Sequence, residues 1–161
     1  MTEVEGSAGT QGRYIQACAY DGLSVWQLDE LALDLPAWTP TAAAASRLFV
    51  VRHPEQPGVA EVIYDAPTGR LSQGRGWELL EAPHALHVVG DLLLAPAHGS
   101  LAVANLTAEG LRPHPGDYVT PVNLHPRLDR ARPDAGGLWL PVGEYGVEYL
   151  PWTGLLREAA R

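Results

Sequence analysis

The chain has 161 residues, of which 46% are apolar and 19% charged, and carries a formal charge of −8 at pH 7. That size suits one domain able to bury about two-thirds of the surface its unfolded form exposes. The charge speaks against a nucleic-acid partner, because affinity for phosphate rests on Lys and Arg, and this chain has no Lys. No window approaches the roughly 20 uninterrupted apolar residues of a membrane span. The single cysteine, Cys18, rules out an internal disulfide framework. The acidic start of the chain lacks the basic and apolar segments of a signal peptide, so a cytoplasmic setting is expected.

Residues 2–12 (TEVEGSAGTQG) have no apolar period and read as a flexible tail before a single domain over 13–161. Arg13 to Tyr20 reads as a strand, Asp21-Gly22 as a hairpin turn and Leu23 to Leu28 as the returning strand. Pro40 to Ser46 (PTAAAAS) has the composition of one short helical turn. The hairpin layout then recurs. Ser46 to Arg52 climbs to a loop ending at Gly58 and Val59 to Tyr64 returns. His87 to Ala95 climbs to His98-Gly99 and Ser100 to Leu106 returns, then Leu138 to Val142 climbs to Tyr145-Gly146 and Val147 to Leu150 returns.

The four turn glycines, Gly22, Gly58, Gly99 and Gly146, are spaced by 36, 41 and 47 residues. Second turns follow at Thr68-Gly69, Glu109-Gly110 and Thr153-Gly154, each trailed by a leucine: Leu71, Leu111 and Leu155. A period of about 40 residues with one antiparallel unit per period is the signature of a blade or array architecture. A lone hairpin cannot bury its apolar face, so copies must stack to make a continuous core. Pro113 to Gly137 holds five prolines and reads as the longest stretch without a strand pair, the natural place for a functional loop. Thr153 to Arg161 has the composition of a short terminal helix.

Tyr64-Asp65-Ala66-Pro67-Thr68-Gly69-Arg70-Leu71 resembles the strand-to-turn segment of β-propeller blades. Val89 to Leu94, through His98 to Val103 and on to Asn105-Leu106, is similar to the blade core of quinoprotein and WD40-type propellers, and Ala19 to Trp26 repeats the theme. The resemblance covers roughly residues 13 to 156. It implies an all-β fold of about four antiparallel hairpin repeats forming a small or partial β-propeller, with an antiparallel sandwich or barrel as the alternative. These motifs are structural, shared by functionally unrelated propellers, and imply no particular activity or cofactor.

Five of six histidines, His84, His87, His98, His114 and His125, fall within 42 residues of one another. A transition-metal site needs three or four such ligands converging, so this group is the candidate metal or small-molecule site. His84 and His87, three apart, would face opposite sides of one strand unless one lies in the loop after Pro83. No nucleophile elbow, phosphate-binding loop or paired carboxylates in an apolar cleft are evident. The five tryptophans and six tyrosines far outnumber the single Phe49. Tyr and Trp concentrate where one edge is buried and the other wet. Trp26 and Trp139, inside strands, read as core. Trp38, Trp77 and Trp152, near Pro or Gly turns, together with Tyr118 and Tyr145, are the candidate binding residues. The resulting expectation is a non-catalytic binding or assembly module, engaging a protein partner or a second copy through an aromatic, loop-rich face.

Overall fold

A computed structural model gives the fold and describes residues 2–5, 13–36, 39–97, 100–114, 118–119, 132–141 and 146–153. Antiparallel pairing accounts for every ladder in it. The first sheet is β1 (Thr2–Glu5), β2 (Arg13–Tyr20) and β3 (Val25–Leu33), in that spatial order. The second runs β4 (Thr41–Ala44), β5 (Arg47–Val51), β6 (Gly58–Asp65) and β7 (Arg70–Gln73), with β8 (Trp77–Glu78) pairing beside the start of β6. The third repeats that meander with β9 (His87–Val89), β10 (Leu92–Pro96), β11 (Ser100–Thr107) and β12 (Gly110–Pro113), and β13 (Tyr118–Val119) pairs with the start of β11. The fourth is β14 (Arg132–Pro133), β15 (Gly137–Pro141) and β16 (Val147–Pro151). The fold is all-β, and none of the four sheets closes on itself.

The turn chemistry follows the sequence. Asp21 Oδ1 accepts from the Leu23 and Ser24 N–H groups at 2.9 and 2.8 Å, and Gly22 takes φ +98°. Gly69 and Gly110 also hold positive φ, and the leucines behind them, Leu71 and Leu111, are buried. Three expectations are revised. Thr2–Glu5, read as tail, lies along β2, whose outer edge would otherwise leave its backbone groups unpaired. The alanine run 41–44 is a strand, because pairing with β5 outweighs the helical preference of isolated alanine. His87 to Ala95 is two strands, broken where Gly90 turns at φ +56°. The proposed terminal helix falls on residues of which all but Thr153 lie outside those described.

Side-chain alternation sends apolar residues to both faces of the inner sheets, and the sheets stack in chain order. Ile15, Ala17 and Leu35 of the first sheet and its outgoing loop meet Val50, Ala60 and Val62 of the second. The opposite face of the second sheet, with Phe49, Val51, Val59 and Trp77, meets Leu93, Ala95, Ala102 and Leu111 of the third. The far face of the third, with Leu94, Leu101 and Val103, meets Leu138 and Leu150 of the fourth. Between the second and third sheets, Glu61 is fully buried. Its carboxylate accepts from Arg47 Nη1 and from the Arg75 N–H, each at 3.0 Å, and Arg47 also donates to the Thr107 carbonyl at 2.9 Å. One guanidinium thus ties β5 and β6 to the β11–β12 turn.

Candidate functional site

The fourth sheet has one covered and one open face. β14 and β15 pair Arg132 with Trp139, and β15 and β16 pair Trp139 with Tyr149, so all three occupy the face turned away from the third sheet. Trp139 and Tyr149 are 44% and 38% exposed, and Val147, on the same face, is 61% exposed. Their rings stand 4.5 Å apart with a 45° tilt, a geometry in which an aromatic pair attracts beyond simple area burial.

Asp134 organises this face. Its Oδ1 accepts from the Gly136 and Gly137 N–H groups, each at 2.8 Å, closing the turn into β15. Its Oδ2 accepts from Trp139 Nε1 at 2.7 Å, and Oδ1 also takes the Tyr149 hydroxyl at 3.4 Å. These donors, the Trp139 indole first, hold the Asp134 carboxyl below the usual carboxylate range. Desolvation and then the Asp134 charge push the Tyr149 phenol up. The two glycines make room. A Cβ at Gly136 would lie 2.5 Å from the Tyr149 hydroxyl, and one at Gly137 would lie 2.4 Å from the Leu150 carbonyl. Trp152 Nε1 donates to the Asp134 carbonyl at 2.9 Å. The polar ends of three aromatics are therefore satisfied internally, and what Trp139 and Tyr149 present outward is ring surface.

The first sheet is open on its far side in the same way. Alternation along β2, with the register slip after Ala17, sets Gln16, Cys18 and Tyr20 outward opposite Glu30, Gln27 and Val25. Tyr20 and Val25 are 68% and 65% exposed. Glu30 Oε2 accepts from Gln16 Nε2 at 2.9 Å.

A groove of about 800 Å³ lies between the β3–β4 loop, the end of β5 and the segment before β9. Pro36, Pro40, Pro54 and Pro83 supply apolar walls, Thr39, Thr41, Arg52, His84 and His87 line it with polar groups, and none of the described lining residues is a carboxylate.

The predicted residues fall as follows. His84 and His87 share the groove wall. The register sets His87, Leu94 and Val103 in one row, and the His114 N–H donates to the Val103 carbonyl at 2.9 Å. His87 and His114 thus stand about three strand spacings, or roughly 14 Å, apart. Each has a buried Nε2 without a hydrogen-bond partner among the described residues. Burial, and secondarily the Arg132 charge, push the His87 imidazole below its ordinary value. Among the described residues no three His, Cys, Asp or Glu side chains converge. His98 and His125 lie outside those residues, as do Trp38 and Tyr145, and of Tyr118 only the backbone of β13 is described. Trp77 is core, 6% exposed between the second and third sheets, and Trp152 is half-buried against the third–fourth core. Conversely Trp26 and Trp139, read as core, are exposed. Asp134 and Tyr149 were missed. Their signals were an Asp-x-Gly-Gly turn and a Val147-Glu148-Tyr149-Leu150 alternation opposite Leu138-Trp139.

No protein-family model matches the chain, and no curated protein matches it. Among the described residues no helix is long and apolar enough to cross a membrane.

Proposed function

We propose that this chain is a non-catalytic binding or assembly module of a cytoplasmic kind, its four sheets standing as the blades of a small or partial β-propeller. The observation that carries the reading is the outward face of β15 and β16, where Trp139 and Tyr149 have their polar groups occupied by Asp134 and their rings left open. Rigid aromatics at the end of a stacked scaffold supply contact area at small entropic cost, the usual chemistry of a protein-recognition surface. A photo-crosslinking amino acid at Val147 tests it: in the native cells it forms protein adducts that Trp139→Ala abolishes. Absence of any adduct from a folded variant contradicts the reading.

A second reading, a small-molecule site, is supported by the groove at His84 and His87, where Arg52 stands with no carboxylate among the described lining residues. Its chemistry suits a compact apolar anion, with Arg52 and the two threonines at the polar end. Equilibrium dialysis against benzoate and decanoate checks it, and binding unaltered by Arg52→Gln contradicts it.

A further inference from the structure

His87 stands at a corner of the stack. β9 is the edge strand of the third sheet, so its first residue lines the groove while its row, through Leu94 and Val103, runs beneath the fourth sheet. Nothing among the described residues favours a charge on this imidazole. Its buried Nε2 has no hydrogen-bond partner there, and burial first, then the Arg132 cation, hold its pKa below the ordinary histidine value. The groups around it offer no compensating anion. Arg52 and His84 share the groove wall, the adjoining strands β4 and β10 bring no titratable residue, and His114 closes the far end of the row. From the fourth sheet come Arg132 and, on the inner face of β16, Glu148, whose Oε2 is itself buried without a hydrogen-bond partner among the described residues.

We infer that an anion seated in the groove beside Arg52 draws a proton onto His87, so that the groove takes up its ligand and a proton together. This rests on the small-molecule reading above and adds how that site is regulated. The chain as a whole carries −8, yet the described lining of the groove holds one Arg, two His and no acid. Arg52 Nη2 donates to the Gln56 side-chain oxygen at 2.9 Å, a neutral partner that leaves the guanidinium charge uncompensated. Asp34 lies across Arg52 in a separate, smaller pocket. An opposite charge within about 4–6 Å of an imidazole favours its protonated form, and a bound anion supplies there what the chain does not. The coupling is reciprocal: whatever the anion contributes to charging His87, the charged His87 returns to the anion as affinity. At alkaline pH the ligand meets a neutral imidazole. Affinity therefore rises as pH falls through the raised pKa of the liganded chain, and levels off below the lower pKa of the free one.

The test is titration calorimetry of the full chain with benzoate, which stays ionised between about pH 8 and about pH 5.5, the range that brackets histidine. Benzoate affinity tightens about tenfold from the alkaline to the acid end. At about pH 6.5 the heats measured in phosphate and in Tris differ in the sense of proton uptake, a readout on the wild-type chain that depends on no variant. His87→Gln, which cannot take the charge, keeps the alkaline affinity at every pH, whereas His84→Gln retains the pH dependence and Arg52→Gln weakens binding throughout. An unchanged melting temperature at the alkaline end establishes that His87→Gln folds. Wild-type affinity that is the same at both ends of the range, or heats that do not depend on the buffer, overturn the inference while leaving the anion site standing. A pH dependence that survives His87→Gln and disappears with His84→Gln overturns it equally. Benzoate that fails to bind at any pH overturns the site and the inference together.

Discussion

Asp134 shows how one short side chain can set the chemistry of a face. Four groups donate to its two oxygens, and a carboxylate accepting several hydrogen bonds is favoured in its charged form. Its folded pKa is lowered, so its contribution to stability is present above the unfolded value of about 3.9 and is lost as pH falls through the lower folded one. The near-ultraviolet circular dichroism of Trp139 therefore weakens below about pH 4, and Asp134→Ala removes that acid transition. Glu61 is the buried counterpart. Truncating one partner of a buried pair strands the other, so Glu61→Ala costs on the order of 3 kcal/mol in chemical denaturation, as the Arg47 guanidinium and the Arg75 N–H lose their acceptor. A cost under 1 kcal/mol would contradict the clasp between the second and third sheets.

At the scale of elements, turns were legible and strand breaks were not. Asp21-Gly22 fixed the start of the fold because its two residues suit only a few turn geometries, and β2 spans the residues read for it. Gly58 was read as the end of the loop in the next hairpin, yet it opens β6, where a Cβ would lie 2.4 Å from the Trp77 carbonyl. It is small so that β8 can approach. Gly58→Ala accordingly destabilises by about 1–3 kcal/mol in thermal unfolding, because backbone cannot yield as a side-chain tip can. The break at Gly90 was hidden because residues of β9 and β10 are apolar toward both neighbouring sheets, which leaves no alternation to interrupt. Alternation also tells which residues share a face without telling which faces are covered, and hence Trp77 and Trp139 exchanged their expected places. His87 belongs to this scale too, since its row packs toward the fourth sheet. Its folded pKa is lowered, so the unfolded chain binds more protons and stability falls as pH drops below about 6.5. His87→Phe flattens the slope of melting temperature between about pH 7 and pH 5, and an unchanged slope would contradict the assignment.

For the whole molecule, the feature that organises everything else is, among the described residues, a chain-ordered stack of four sheets joined by three apolar cores. The hairpins read around Gly22, Gly58, Gly99 and Gly146 each fall within one of the four antiparallel sheets, because each must bury apolar residues against a neighbour. Alternation could not show which faces are covered, since a sheet packed on one face has the same alternation as one packed on both. The candidate site was for that reason only half legible: the aromatic richness was visible, but the choice of Trp139 and Tyr149 depended on which face of the fourth sheet is exposed. Photo-crosslinking from position 147, compared in the wild-type and Trp139→Ala backgrounds, tests most directly whether the outer face of the fourth sheet engages a partner. The account predicts protein adducts in the first background and their loss in the second. A folded chain that forms no adduct, or adducts that Trp139→Ala leaves unchanged, would contradict it.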